Sequence, residues 1–314
     1  MGILGICARL VLLTMALTTT VRASTYPGKD SYCTLTYRHT RKVWVKSSSQ
    51  LSNAMRYAKP GDIIYMADGT YSGNFEFRKK KGNKWRPITL CGSRKAVIDG
   101  KMKNVGLLIH KSDYVNVVGI TVKNASKGIR LETARHCTLD KAMVTKTGSE
   151  AIHIQYRSHY NTVQNCTVTN TGRRKKSVGE GVYLGSSRRN TPGDTCIGNK
   201  ILYNKIGPGV TAEPIDVKEN SKNGYIIGNY LDGKDLCGCP DAVSLINVKG
   251  NGYRIENNVG KNARQDFYKT SKTIKGQGRN NVFKANVCLG NVRRGYDCTR
   301  TPGGGNRGNK FYNG

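Results

Sequence analysis

Three glutamates recur at one place in a repeated pattern. Glu150, Glu180 and Glu213 each stand three residues before a position flanked by aliphatics: His153 in Ile-His-Ile, Tyr183 in Val-Tyr-Leu and Asp216 in Ile-Asp-Val. Two residues beyond those positions come Gln155, Gly185 and Lys218, and the next occurrence ends in Lys249. Carboxylates gathered on one face repel unless a cation, a basic side chain or a proton neutralises them. Hard oxygen ligands supplied by separate strands suit Ca2+. Glu150, Glu180, Glu213 and Asp216 are therefore candidate metal ligands. The chain has only 20 acidic residues against 52 Lys and Arg, which makes their clustering informative. Lys218, Lys249, Arg130, His153 and Tyr183 lie in the same pattern and are the candidate catalytic residues, since each type moves protons or fixes anions.

The elements that must position these groups follow from an internal repeat. The segments Leu108-Ile-His110, Ile129-Arg-Leu-Glu132, Ile152-His-Ile-Gln155, Val182-Tyr-Leu-Gly185, Ile215-Asp-Val-Lys218, Ile246-Asn-Val-Lys249 and Phe267-Tyr-Lys269 share it. A second strand is expected between them, at Val115–Val122, Cys137–Val144 and Thr162–Thr169, with corners at Asn229, Gly233, Asn257, Asn258 and Gly260. Gly, Asn, Thr, Val and Ile are plentiful and leucine is scarce, which favours strands and turns. No coil buries a whole core alone, so coils must stack. The expected fold is all-β: a single-stranded right-handed parallel β-helix, a solenoid. A leucine-rich solenoid lacks its leucine pattern here. A sandwich would need regular tight-turn dipeptides, which are missing. Near the N-terminus, Gln50–Ala58 has helical apolar spacing behind Ser47–Ser49, and a capping helix there would cover the open end of the core.

Stacked coils lie about 4.8 Å apart, so matching positions become neighbours. The expected outward column is His110, Arg130, His153, Tyr183, Asp216, Asn247 and Tyr268. Glu132, Gln155, Gly185, Lys218 and Lys249 form a second column, and Glu150, Glu180, Glu213 and Ser244 a third.

Bulk properties bound the partners. Residues 1–23 read as a signal peptide: Leu10 to Val21 is apolar but too short for a stable span, and Val21-Arg-Ala23 fits a cleavage site. Residues 24–314 are then one secreted domain, expected to be monomeric and away from membranes. Cleavage leaves 50 Lys and Arg against 20 acids, a net charge of +30. That balance points to a polyanion, and export favours an acidic polysaccharide over nucleic acid. Nine cysteines remain, and most should pair outside the cell. Proximity pairs Cys33 with Cys91, Cys288 with Cys298, and Cys196 with Cys237 or Cys239. Asn124-Ala-Ser126 and Asn165-Cys-Thr167 are glycosylation sequons.

Pro60-Gly-Asp-Ile-Ile-Tyr-Met-Ala-Asp-Gly-Thr-Tyr71, followed by Pro87-Ile-Thr-Leu90 and Ala96-Val-Ile-Asp-Gly100, resembles the opening of pectin-lyase-like β-helix proteins. Within that superfamily the chain is most similar to the chondroitinase B and alginate lyase type. Ala212-Glu-Pro-Ile-Asp-Val-Lys-Glu219 resembles the family segment with a calcium-ligating Glu five residues before a catalytic Lys, here Glu213 and Lys218. Ser244–Gly252 resembles the segment bearing a catalytic Arg, but this chain has Lys249, which lacks the bidentate fork. Thr211 stands where the family carries a second acidic ligand. The resemblance implies β-elimination on a uronic-acid-containing polysaccharide. The alternatives are a β-helix glycoside hydrolase using two of the four carboxylates, and a non-catalytic protein that binds acidic glycans or belongs to the matrix.

Overall fold

The computed structural model describes Cys33 and residues 40–187, 191, 193–239, 242, 244–271, 273–290, 299–300 and 310–312. The expected signal peptide, Cys298 and the basic pair Arg188-Arg189, expected from the sequence to help hold an anionic chain, lie outside the described residues. The chain winds through about eight turns of a parallel β-solenoid, as the repeat predicts. It forms three parallel sheets, of eleven, nine and nine strands.

The sequence predicts one second strand per coil, whereas the structure has two. The stretch 115–122 splits into Val115–Val118 and Thr121–Lys123, and 138–145 into Thr138–Asp140 and Met143–Thr145. Between them sit left-handed residues, Gly119 at φ 78° and Lys141 at φ 54°. Apolar residues continue through that corner, as at Ile120 and Ala142, and so hide it in the pattern. Asn165 occupies the equivalent corner, exposed, with φ 53°, and its amide donates to Asp140 Oδ1 at 2.8 Å. Gly260 is not a corner. It lies inside the strand Val259–Lys261, where a Cβ would come within 2.6 Å of Leu245.

Leu107, Ile129, Ile152, Val182, Ile215 and Ile246 stack in register, all fully buried. Each contributes roughly 1.5–3 kcal/mol by burial. The outward column departs from expectation at both ends. Arg130 pairs with Leu108, and His110 with Glu132. Asn247 pairs with Lys269, and Tyr268 is buried. Strand side chains alternate with period two. The two-residue slip at His110 therefore keeps its face, while the one-residue slip at Tyr268 turns it inward.

A helix, Ser48–Arg56, lies near the N-terminus and packs against the sheet, burying Leu51, Ala54 and Met55. Ser47 caps it, its Oγ accepting the Gln50 N–H. It starts two residues before the expected segment, because the serines enter the helix and do not merely precede it. A strand that sequence reading missed, Arg41–Val45, pairs with Asp62–Met66.

A buried asparagine ladder ties one corner together. The Asn229 amide donates to Ile201 O and to Asn258 Oδ1, each at 2.9 Å, while its Oδ1 accepts from the Asn204 backbone and side chain. Every polar group is satisfied, so a single removal strands several partners. Asn229→Ala should cost at least about 3 kcal/mol by that count. Chemical denaturation measures it, and an unchanged midpoint would make the ladder redundant.

The Cys33–Cys91 disulfide forms as expected. Cys196 does not pair with Cys237 or Cys239. Those two bond each other, and Cys196 is a buried free thiol under the sheet beside Ile154. Cys288 is disulfide-bonded; its expected partner Cys298 lies outside the described residues.

Candidate active-site cleft

The strands Ile152–Gln155, Val182–Leu184, Ile215–Val217 and Ile246–Val248 carry the expected residues on one sheet. His153, Tyr183, Asp216 and Asn247 stack in register. The segments entering these strands are tied to one another. Thr211 Oγ1 donates to Lys176 O at 2.8 Å, and the Cys237 N–H to Thr211 O at 2.8 Å. The segments leaving them are tied likewise: the Asn220 N–H donates to Gln277 Oε1 at 3.1 Å. Gly185 has φ 87°, and a Cβ there would lie 3.2 Å from Lys218 Cβ. Its lack of a side chain leaves room for the lysine.

Asp216 is the electrostatic centre. It is 1 % exposed, and its oxygens lie 2.5 Å from Lys218 Nζ and 2.8 Å from Lys249 Nζ. Burial works against its charge, but the two lysines outweigh burial and hold the carboxyl below its ordinary range. Burial also opposes the charge of Lys218. Asp216, with Tyr183 and Glu180, reverses this and holds the ammonium well above the usual lysine value. Lys218 Nζ sits 4.7 Å over the Tyr183 ring, a cation–π contact. Burial pushes the Tyr183 phenol well up, with Lys218 opposing.

The glutamate column is built as the spacing predicts, and it divides in environment. One oxygen each from Glu180, Glu213 and Asp216 lies within 4.8 Å of the others, all buried. Glu180 Oε2 has no hydrogen-bond partner. Burial, reinforced by Asp216 and Glu150, pushes Glu180 up to about 8. Burial and Asp216 push Glu213 up to about 7, against Lys249 and Lys218; Asn247 Nδ2 lies 3.4 Å from its Oε1. Glu150 stands apart from this set. It accepts from Lys127 Nζ at 2.6 Å and Ser149 Oγ at 2.6 Å. His153, Lys127 and Ser149 together overcome burial and hold it below its usual range.

His153 is buried, which pushes its imidazole down to about 4 despite Glu150. It is thus neutral at pH 7, and the 3.0 Å approach of Nε2 to Gly185 O places its proton there. Its edge meets the Tyr183 ring, with centroids 4.5 Å apart. Arg130 is not brought to Lys218. It lies three coils away, roughly 14 Å, and 2.9 Å from Glu132 Oε1. There the same face opens into a groove of about 410 Å³ that Phe75, Leu108, Lys127 and Arg130 help to line. Lys127 was missed by sequence reasoning. It stands three residues before Arg130, the offset of the glutamates, and that offset taken one coil further back identifies it.

Among the described residues, Glu180, Glu213 and Asp216 are the one group of three His, Cys, Asp or Glu able to hold a metal ion. The set is all oxygen, which suits a hard cation and not copper, whose proteins use imidazole and sulfur. The unpartnered Glu180 Oε2 and the two raised glutamates fit a cation, whereas Asp216 is already committed to two lysines.

A comparison with curated proteins finds no match. The family model NosD, described as "Periplasmic copper-binding protein (NosD)", matches residues 48–238. Among solved structures, the alginate lyase from Paenibacillus sp. str. FPU-7 is 30% identical, with a TM-score of 0.79, covering 87% of this chain and 98% of its own. Pectate lyase Pel9A is 15% identical with a TM-score of 0.62, over 86% of this chain and 80% of its own. Pectate lyase C from Erwinia chrysanthemi, solved with Ca2+, is 16% identical with a TM-score of 0.56, over 82% and 79%. The last two show the fold alone. Together with the three-sheet solenoid, the matches place this chain in the NosD family of right-handed β-helix proteins, within the pectin-lyase-like superfamily.

Proposed function

We propose that the protein is a secreted polysaccharide lyase that cleaves a uronic-acid-containing chain by β-elimination. The observation that carries this reading is the Tyr183–Lys218–Asp216–Lys249 cluster, set beside the carboxyl ladder on adjacent coils. The alginate lyase at 30% identity supports it.

β-Elimination needs the substrate carboxylate neutralised, a base for the C5 proton and an acid for the leaving oxygen. Lys249 brings positive charge to the carboxylate. Lys218 is the base: its amine takes the C5 proton, the C5–H electrons form the C4–C5 double bond, and the C4–O bond breaks. Tyr183 gives its phenolic proton to the departing oxygen, since burial keeps that proton in place at neutral pH. His153 is neutral and holds the Tyr183 ring edge-on, and Arg130 anchors the chain further along the groove. Glu180 and Glu213 would hold a Ca2+ if one is bound. That ion would supply positive charge for the substrate carboxylate and weaken the carboxylate field that keeps Lys218 protonated.

Incubation with alginate, pectate, chondroitin sulfate, hyaluronan and glucuronan should yield a product absorbing in the ultraviolet from the new double bond on at least one of them. Reducing ends without that absorbance would replace the lyase by a hydrolase. Binding without cleavage of any of them would leave a glycan-binding protein.

A further inference from the structure

A second groove lies away from the cleft. It occupies about 570 Å³ on another sheet, over the strands Lys205–Ile206, Tyr230–Asp232 and Val259–Lys261. Lys205 pairs in register with Tyr230, and Asp232 with Lys261. We infer that this groove, with Lys205, Lys234 and Lys261 around the Tyr230 ring, is a second, non-catalytic binding site for an anionic polysaccharide chain.

The charge arrangement supports this. Asp232 is the one carboxylate lining the groove, and it is buried and fully engaged. It accepts from the Lys234 N–H at 3.1 Å and Asn262 Nδ2 at 2.8 Å, and lies 3.2 Å from Lys261 Nζ. Asp235, next along the chain, is tied to the Gly209 N–H at 2.7 Å. Asp232 thus fixes Lys261, whose Nζ sits 5.6 Å from the Tyr230 centroid. Lys205 and Lys234 are exposed, and neither makes an ion pair among the described residues. Two free ammonium groups therefore flank a half-buried aromatic ring in an open trough. A pyranose ring presents an apolar C–H face to an aromatic while its carboxylate meets an ammonium. An extended chain passing over the ring would satisfy both lysines at once. Lysine is a compact point charge that binds a carboxylate without a fixed fork, as a chain of repeating uronates requires. Anion binding follows from the groove alone, while the choice of a polysaccharide rests on the lyase function proposed for the cleft. A site outside the cleft would keep polymeric substrate at the surface between cuts.

The test uses the full chain carrying Lys218→Ala, so that polymer is not consumed. Calorimetry with sodium alginate compares this protein with one that also carries Lys205→Ala and Lys234→Ala. The double change should weaken alginate binding roughly three- to tenfold, the range for two exposed ion pairs. Lys200→Ala with Lys222→Ala removes the same charge elsewhere and should change affinity less than twofold. Equal affinity in all three proteins would overturn the proposal, as would equal losses from both double changes. A single-stranded oligonucleotide bound through Lys205 and Lys234, with no alginate effect, would overturn the polysaccharide assignment. Absence of ultraviolet-absorbing product from the wild type would remove the lyase and leave this binding result to stand or fall alone.

Discussion

Lys218→Ala should lower turnover on the preferred polyuronate by about 10²–10⁴-fold, the usual worth of a positioned base. The side chain is largely enclosed, with an ion pair to Asp216 on one side and the Tyr183 ring on the other, where, among the described residues, Lys249 makes no ring contact. Tyr183→Phe keeps the ring under the lysine but removes the phenol. It should cost a comparable factor in kcat with little change in KM, because the proton is given only as the bond breaks. A pH profile separates the base from a merely structural lysine. Asp216 is the leading influence raising Lys218, so Asp216→Asn should move the acidic limb of the rate profile to lower pH, even as positioning suffers. Wild-type turnover should rise toward alkaline pH, since Lys218 rests as an ammonium. An unmoved limb in Asp216→Asn, or activity retained in Lys218→Ala, removes Lys218 from the base role.

Much of this cleft is readable in the chain because a solenoid converts sequence offset into spatial neighbourhood. Once Ile152, Val182, Ile215 and Ile246 are aligned, the ladder Glu150–Glu180–Glu213 and the pair Lys218–Lys249 follow by counting. The ends of the column were not readable. At Leu108 and Lys269 the strands begin two residues earlier or one later than the apolar pattern alone implies, and only backbone pairing decides that. The third sheet was also hidden, because corner residues such as Ile120, Ala142 and Cys166 are as apolar as strand residues and point into the core. The sequence could place Asp216 near both lysines but not show that it binds both. That contact decides the charge of Lys218: a single buried carboxylate between two ammonium groups outweighs their mutual repulsion.

The carboxyl ladder predicts an unusual dependence of stability on pH. Glu180 ordinarily titrates near 4.5, and burial beside Asp216 and Glu150 pushes it up to about 8. Between those values the folded chain keeps a proton that the unfolded chain has released. Stability contributed by this site is therefore full below about pH 4.5 and declines as pH rises to about 8. Glu213, pushed up to about 7, adds to the decline over a narrower window. At about 1.4 kcal/mol per unit, Glu180 alone costs on the order of a few kcal/mol at pH 8. Glu180→Gln keeps the shape without the charge. It should raise the denaturation midpoint at pH 8 and leave it nearly unchanged at pH 4.5. A ladder that holds Ca2+ adds a second signature, because the ion replaces the proton and stabilises only the folded chain. Millimolar Ca2+ at pH 8 should then lift the wild type toward the midpoint of Glu180→Gln and move that variant little. If Glu180→Gln stabilises while Ca2+ does nothing, the ladder works as a pair of neutral carboxyl groups, and the positive charge offered to the substrate comes from Lys249. If Glu180→Gln instead destabilises at pH 8, the glutamate is charged and paired in the folded chain, and neither the retained proton nor the vacant oxygen that would draw Ca2+ exists.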